Sequence, residues 1–184
     1  PLHTHDDVTL ALFPFSTLPA SHTKEIPSTR TPSTHMTISV RHEVTINAPI
    51  AAVWKEVIDL PGWKKWSKWT VLEGMDTAQV GPATLQASFD GDGVWKKFAC
   101  NIAEVDHASY LLRWTGKVAG GCLFDGNHWM SFKETSPGVT TMYHCEDFNG
   151  MLPALGIGMP FKKVDANYLK MCQALKAHVE GGGK

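Results

Sequence analysis

From Ile38 onward the chain keeps returning to one pattern: short runs in which apolar and polar residues alternate, closed by a turn former. "ISVRHEVTI" (38–46) sets Ile38, Val40, His42, Val44 and Ile46 against Ser39, Arg41, Glu43 and Thr45. A period of two is the mark of a half-buried strand. Residues 84–90 repeat it with Leu85, Ala87 and Phe89, and residues 94–105 with Phe98, Cys100 and Ile102 on the inner side. Residues 110–118 place Leu112, Trp114, Gly116 and Val118 inward, and residues 123–134 do so with Phe124, Gly126, His128, Met130 and Phe132. The last run, 139–148, sets Thr140, Met142, His144, Glu146 and Phe148 on the same face. Gly91-Asp92-Gly93, Gly120-Gly121 and Pro137-Gly138 separate the runs, which predicts successive antiparallel hairpins. The chain then closes in a long helix striped by Phe161, Val164, Tyr168, Met171, Leu175 and Val179.

Two segments depart from that pattern. After the first strand, Asn47-Ala48-Pro49 ends the alternation, and "IAAVWKEVIDL" presents Val53, Trp54, Val57, Ile58 and Leu60 at helical spacing. Pro61-Gly62 breaks this helix, and "WKKWSKW" follows, with Trp63, Trp66 and Trp69 three apart and Lys64, Lys65 and Lys68 turned away. A base-stacking platform would continue in basic residues, but Glu73 and Asp76 come next. The chain's net charge is −1 and its pI near 6.9, so no global field draws it to nucleic acid or anionic lipid. The rings are expected to seal a core and the lysines to be solvated; neither nucleic-acid binding nor stable membrane insertion is expected. The second departure is "MLPALGIGMP" (151–160), loosened by two prolines and two glycines into a candidate lid.

The first 35 residues are rich in Pro, Ser, Thr and His without periodicity, and are expected to be a disordered leader ahead of a domain at 36–184. Asp6 and Asp7 stand where a signal peptide would be positive, and Arg30 is the only arginine a transit peptide would have. Met36 opens the patterned region, so an upstream extension is a further reading. Four scattered cysteines with no C-x-x-C pair argue against a zinc knuckle or a disulfide scaffold, and lead to the expectation of reduced thiols in a cytoplasmic protein.

With "EVTINAPIAAVWKEVIDLPGWKKW", "FACNIAEVD", "YLLRWTG", "HWMSF", "EDFNG" and "NYLKMCQALKAHVE", in the order strand, short helices, six strands, long helix, residues 38–180 resemble the START-like SRPBCC superfamily. The polyketide cyclase/dehydrase group, and the group named for a carbon monoxide dehydrogenase subunit, are the nearest in character. The resemblance implies an α+β helix-grip fold: a curved seven-stranded antiparallel sheet wrapped around the C-terminal helix, enclosing a deep apolar cavity. It also implies that the helical pair after the first strand caps the cavity, with Trp66 in its wall and Trp63 and Trp69 open to a place at its mouth. Members bind lipids, sterols or aromatic polyketides, and some catalyse cyclisation or dehydration. No catalytic motif is common to the superfamily, so the fold alone does not assign an activity.

The inward polar residues carry whatever chemistry exists. Antiparallel pairing across Pro137-Gly138 sets His128 opposite either His144 or Glu146, and pairing across Gly120-Gly121 sets Trp114 opposite Gly126 or His128. If the first strand neighbours the last, as the resemblance implies, His42 joins the same side. Three readings of this patch stand open. His128, His144 and Glu146 could form an acid–base group, bind zinc without a preformed helical ligand spacing, or provide polar lining. Ligand contacts are expected from His42, Trp66, Phe98, Trp114, Met130, Met142, Phe148, Phe161 and Tyr168. Cys100 and Cys172 read as small apolar fillers. The leading expectation is a small hydrophobic ligand, lipid, sterol or polyketide-like, held without metal or cofactor. The alternatives are a cyclase/dehydratase-type enzyme and a protein-interaction or assembly module.

Overall fold

The protein is described from a computed structural model at residues 37–157 and 160–183. The expectation of a disordered leader over 1–35 lies outside the described residues. Seven strands form one antiparallel sheet: β1 (Ile38–Ile46), β2 (Thr70–Glu73), β3 (Gly81–Ala87), β4 (Lys96–Asp106), β5 (Leu111–Val118), β6 (Phe124–Ser136) and β7 (Val139–Asn149). Their order is β1-β7-β6-β5-β4-β3-β2, so each strand from β2 to β6 lies beside its successor and β1 closes against the last. Two short helices, α1 (Ile50–Ile58) and α2 (Trp63–Trp66), follow β1; α3 (Met151–Ala154) and α4 (Phe161–Glu180) follow β7. This is the helix-grip arrangement, a curled half-barrel with α4 along its inner face.

The alternation becomes burial. Along β6, Gly126, His128, Met130 and Phe132 are buried while their neighbours are half-exposed. Both sides of β7 are shielded near its centre: Met142, His144 and Glu146 face α4, while Cys145 is covered from the outer face, where Arg41 lies 4.7 Å over the Trp129 ring. On α4 the buried stripe is Val164, Asn167, Tyr168, Met171, Cys172 and Leu175. Phe161 and Val179 are only partly covered.

The tryptophan segment is only half helical. Trp63 and Trp66 are the two ends of α2, and Trp69 lies beyond it, after Ser67 has turned the chain into β2. Trp63 is fully buried and its indole N–H donates to the Val57 carbonyl at 2.9 Å. Its ring meets Trp66 at 5.5 Å and Trp114 of β5 edge-on at 6.0 Å. The three lysines are exposed, Lys64 pairing with Glu73 at 2.6 Å. The rings therefore fasten α2 to the sheet, as the charge pattern predicts. No helix among the described residues is long and apolar enough to cross a membrane.

Candidate functional site: a half-open cavity backed by a histidine pair

Between the inner face of β3–β7 and the N-terminal half of α4 lies a cavity of about 520 Å³. It exists because the strands are short of bulk there. Gly116 of β5 and Gly126 of β6 are register partners and both border it, with Ala87 and Ala99 on the next strands. Trp114, Phe124, Phe148, Val164 and Tyr168 form apolar walls, and Leu152, Pro153 and Ile157 from the α3 segment border it as well. Part of the sequence-predicted lid therefore lines the cavity.

Gly150 fixes how that segment leaves β7. Its φ is +105°, and a side chain there would put a Cβ 2.7 Å from the Leu123 carbonyl oxygen. With no Cβ, the backbone can fold onto Leu123, and the N–H groups of Met151 and Leu152 donate to the Cys122 and Leu123 carbonyls at 3.0 Å each.

The register choices left open in the sequence resolve cleanly. His128 stands opposite Glu146, Trp114 opposite His128, and Met130 opposite His144; β1 places His42 opposite His144. The inward polar residues thus form a connected group. Tyr168 Oη donates to Glu146 Oε2, and His128 Nδ1 lies 3.2 Å from the same oxygen. His128 Nε2 and His144 Nε2 are 2.6 Å apart, and His144 Nδ1 is 3.3 Å from Cys172 Sγ. Trp114 stacks on His128 at 3.8 Å and Tyr168 on His144 at 4.6 Å, so both imidazoles are held as plates. Asn167 adds a donor to the Phe89 carbonyl at 2.9 Å.

Burial sets the charge of this group. His128 and His144 are removed from water, which drives both well below the usual imidazole range. Glu146 is pushed up to about 8, chiefly by desolvation and against the opposing Tyr168 hydrogen bond. The His128–Glu146 contact is therefore one between two neutral groups rather than an ion pair. Tyr168 is raised as well, by burial and by the Glu146 carboxyl.

The site residues expected from sequence separate into three sets. Glu146, Trp114, Phe148, Tyr168 and Phe98 border the cavity, Phe98 at its rim with 45% of its surface exposed. His128 and His144 are joined to Glu146 but stand behind it and do not border the cavity. The remaining expected contacts belong elsewhere. Trp66, Met130 and Met142 are packed in the main core, because α2 and the central strands close there without leaving a gap. Phe161 packs edge-on against Phe148 at 5.3 Å, and His42 turns to Asp165 of α4, 2.9 Å from its carbonyl and 3.0 Å from its carboxylate. Of the two rings left open to the mouth, Trp69 borders the cavity and Trp63 lies in the core. Sequence reasoning set Gly116 inward without naming it as a site residue, and passed over Asn167, which also borders the cavity, and the contact of Cys172 with His144. Asn167 and Cys172 sit beside stripe positions of α4 already recognised; their polar atoms were the available signal. Among the described residues no three His, Cys, Asp or Glu side chains are placed to hold a metal ion.

Comparison with known proteins gives the architecture a family. Among solved structures, Zhui aromatase/cyclase from Streptomyces sp. R1128 is similar with a TM-score of 0.62 at 17% identity, over 81% of this chain and 100% of that one. A protein of Thermus thermophilus gives 0.61 at 18%, over 80% and 100%. Norcoclaurine synthase from Thalictrum flavum, in complex with dopamine and hydroxybenzaldehyde, gives 0.60 at 14%, over 82% and 90%. No curated protein matches in sequence. A family profile described as polyketide cyclase / dehydrase and lipid transport matches residues 37–180, and the chain belongs to that family, within the SRPBCC superfamily.

Proposed function

We propose that the protein holds a small, ring-bearing, mostly apolar molecule in the 520 Å³ cavity, with one oxygen of that molecule hydrogen-bonded to Glu146. The observation that carries this reading is a single buried carboxyl, kept neutral below about pH 8, in a mostly apolar wall that also includes Asn167, Lys97 and Lys117. A site of that volume and composition suits a compact ligand with few polar atoms. A neutral acid can donate to a carbonyl without placing a charge in an apolar space. Family membership in a cyclase and lipid-transport group supports the ligand class.

One observation favours a second, catalytic reading on the same site. An acid that changes protonation near neutral pH, at the surface of a ligand cavity, is suited to give and take back a proton during enolisation or dehydration. In that case Glu146 is the residue that meets substrate, and His128 and His144 act through it.

Trp69 and Trp114 border the cavity, so their fluorescence reports occupancy. The test is native mass spectrometry of freshly purified protein for a retained small molecule, followed by fluorescence titration with hydroxylated two- and three-ring aromatic ketones. Saturable quenching that Glu146→Gln weakens supports the binding reading, and conversion of a bound ketone adds the catalytic one. No retained molecule and no quenching across the panel would remove both.

A further inference from the structure

We infer that the cavity has a second polar subsite, built by Thr70 of β2 and Asn167 of α4, that receives a hydroxyl group of the ligand. The inference deepens the ligand class proposed for this cavity and rests on that reading.

Register turns Thr70 inward. It pairs with Ala87 of β3, and directly opposed residues on antiparallel strands share a face; both border the cavity. The Thr70 backbone is served locally by Ser67, whose hydroxyl donates to the Thr70 carbonyl at 2.5 Å and accepts the Thr70 N–H at 3.1 Å. The Thr70 hydroxyl takes no part in these bonds. Asn167 is buried on the inner stripe of α4 and also borders the cavity. Its amide lies 2.9 Å from the Phe89 carbonyl. A carbonyl can only accept, so Nδ2 is turned to Phe89 and Oδ1 is the atom left over.

Neither the Thr70 hydroxyl nor Asn167 Oδ1 has a hydrogen-bond partner among the described residues. Among those residues, only the indole N–H of Trp66 is a side-chain polar atom both fully enclosed and unpartnered. The two atoms therefore keep open surface. On residues only 5% and 7% exposed, that surface belongs to the cavity they border.

The pair stands across the cavity from Glu146. Glu146 is on β7, and β6, β5, β4 and β3 lie between it and β2. Successive residues of a helix point ~100° apart. Tyr168 accordingly reaches Glu146, while Asn167 reaches Phe89 in the connection after β3. A ligand between them meets Glu146 on one side and Thr70 with Asn167 on the other.

The atoms specify the ligand group. Asn167 Oδ1 can only accept, so the ligand must supply a donor; the Thr70 hydroxyl can do either. Lys97 and Lys117 also border the cavity, which disfavours an ammonium as that donor. A neutral hydroxyl gives its proton to Asn167 and can accept that of Thr70. A ligand that fills the cavity excludes water from Oδ1, so one without a donor leaves a buried acceptor unpaired. That cost is the source of selectivity.

Fluorescence titration of the full chain with hydroxyxanthone and hydroxytetralone, each beside its methyl ether, reads the subsite. The ether keeps the oxygen but cannot donate. The wild type should bind each phenol about tenfold or more tightly than its ether. Thr70→Val, which keeps the shape, should cut that ratio by about threefold or more. Asn167→Leu should bring the two affinities close to equal. It also removes the bond to Phe89, but a purely structural loss weakens phenol and ether alike and leaves their ratio unchanged. Glu146→Gln should weaken both and keep the ratio. Equal affinities for phenol and ether in the wild type overturn the subsite and leave the cavity reading standing. A ratio that survives in both Thr70→Val and Asn167→Leu, or that collapses only in Glu146→Gln, does the same. Binding of neither member of any pair overturns the subsite and the proposed function together.

Discussion

Glu146 and the two histidines pull the stability of the protein in opposite pH directions. A carboxyl raised from 4.5 to about 8 binds more protons in the folded state, so its contribution is present below pH 4.5 and is lost as pH climbs to 8. His128 and His144 are depressed below 6.5, so they cost nothing above that value and destabilise as pH falls beneath it. Below pH 6.5 the histidine pair outweighs the single acid, and above it the acid acts alone. These groups therefore place their combined optimum near pH 6.5. Between pH 6.5 and 8 the acid should cost about 2 kcal/mol, at ~1.4 kcal/mol per unit. Glu146→Gln keeps the shape and an acceptor for Tyr168 and His128 but cannot ionise. Chemical unfolding at both pH values should show the wild-type loss and a flat response in the variant. Equal losses in the two proteins would mean that Glu146 is not held as a buried acid.

At the scale of elements, β5 and β6 create the cavity through a pair of facing glycines, and the two positions are not equivalent. A Cβ on Gly126 would meet Glu146 Oε1 at 2.9 Å and the Phe124 ring at 3.1 Å. A Cβ on Gly116 would meet only the Ala99 carbonyl, at 3.9 Å. Gly116→Leu should therefore extend into open space, bury new apolar surface and leave the melting temperature equal or higher. The same change should abolish fluorescence quenching by the aromatic ketones that the wild type binds. Retained binding with a filled cavity would move the ligand site elsewhere. The contrast lies in space alone: Gly116 has room for a side chain toward the cavity, and Gly126 has none.

For the molecule as a whole, the main core and the smaller cluster of Val40, Phe148, Val164 and Tyr168 are built from residues between 37 and 183. The family match begins at residue 37 as well. A chain started at Met36 should thus melt within about 2 °C of the full chain, as expected when little buried area is removed. A drop of roughly 10 °C or more by calorimetry would show that residues 1–35 pack as part of the domain. Ligand binding provides the complementary measure, since a molecule present at about 100 times its Kd should add about 2.7 kcal/mol to folding stability.

Much of this could be read from the linear chain. Period-two alternation located β1 and β3–β7, the glycine-rich breaks located their turns, and the apolar stripe from Val164 to Leu175 located α4. These signals are local, because a strand or helix advertises its buried face in its own spacing. Thr70–Glu73 escaped individual notice: its first three residues are all buried, so β2 shows no alternation. The inward group His128, His144 and Glu146 was also legible, since parity along β6 and β7 fixes the face. What parity could not supply was depth. Whether Trp66 or Trp69 reaches the cavity depends on where α2 ends and the chain turns. That Met130 and Met142 lie in solid core while Phe98 stands at a rim depends on how the sheet curls around α4. The pairing of Cys172 with His144 joins positions 28 residues apart on a helix and a strand, and neither segment encodes it alone. Sequence determined which side chains face inward; only the packing of α4 against the curled sheet decided which of them border the cavity and which stand behind it.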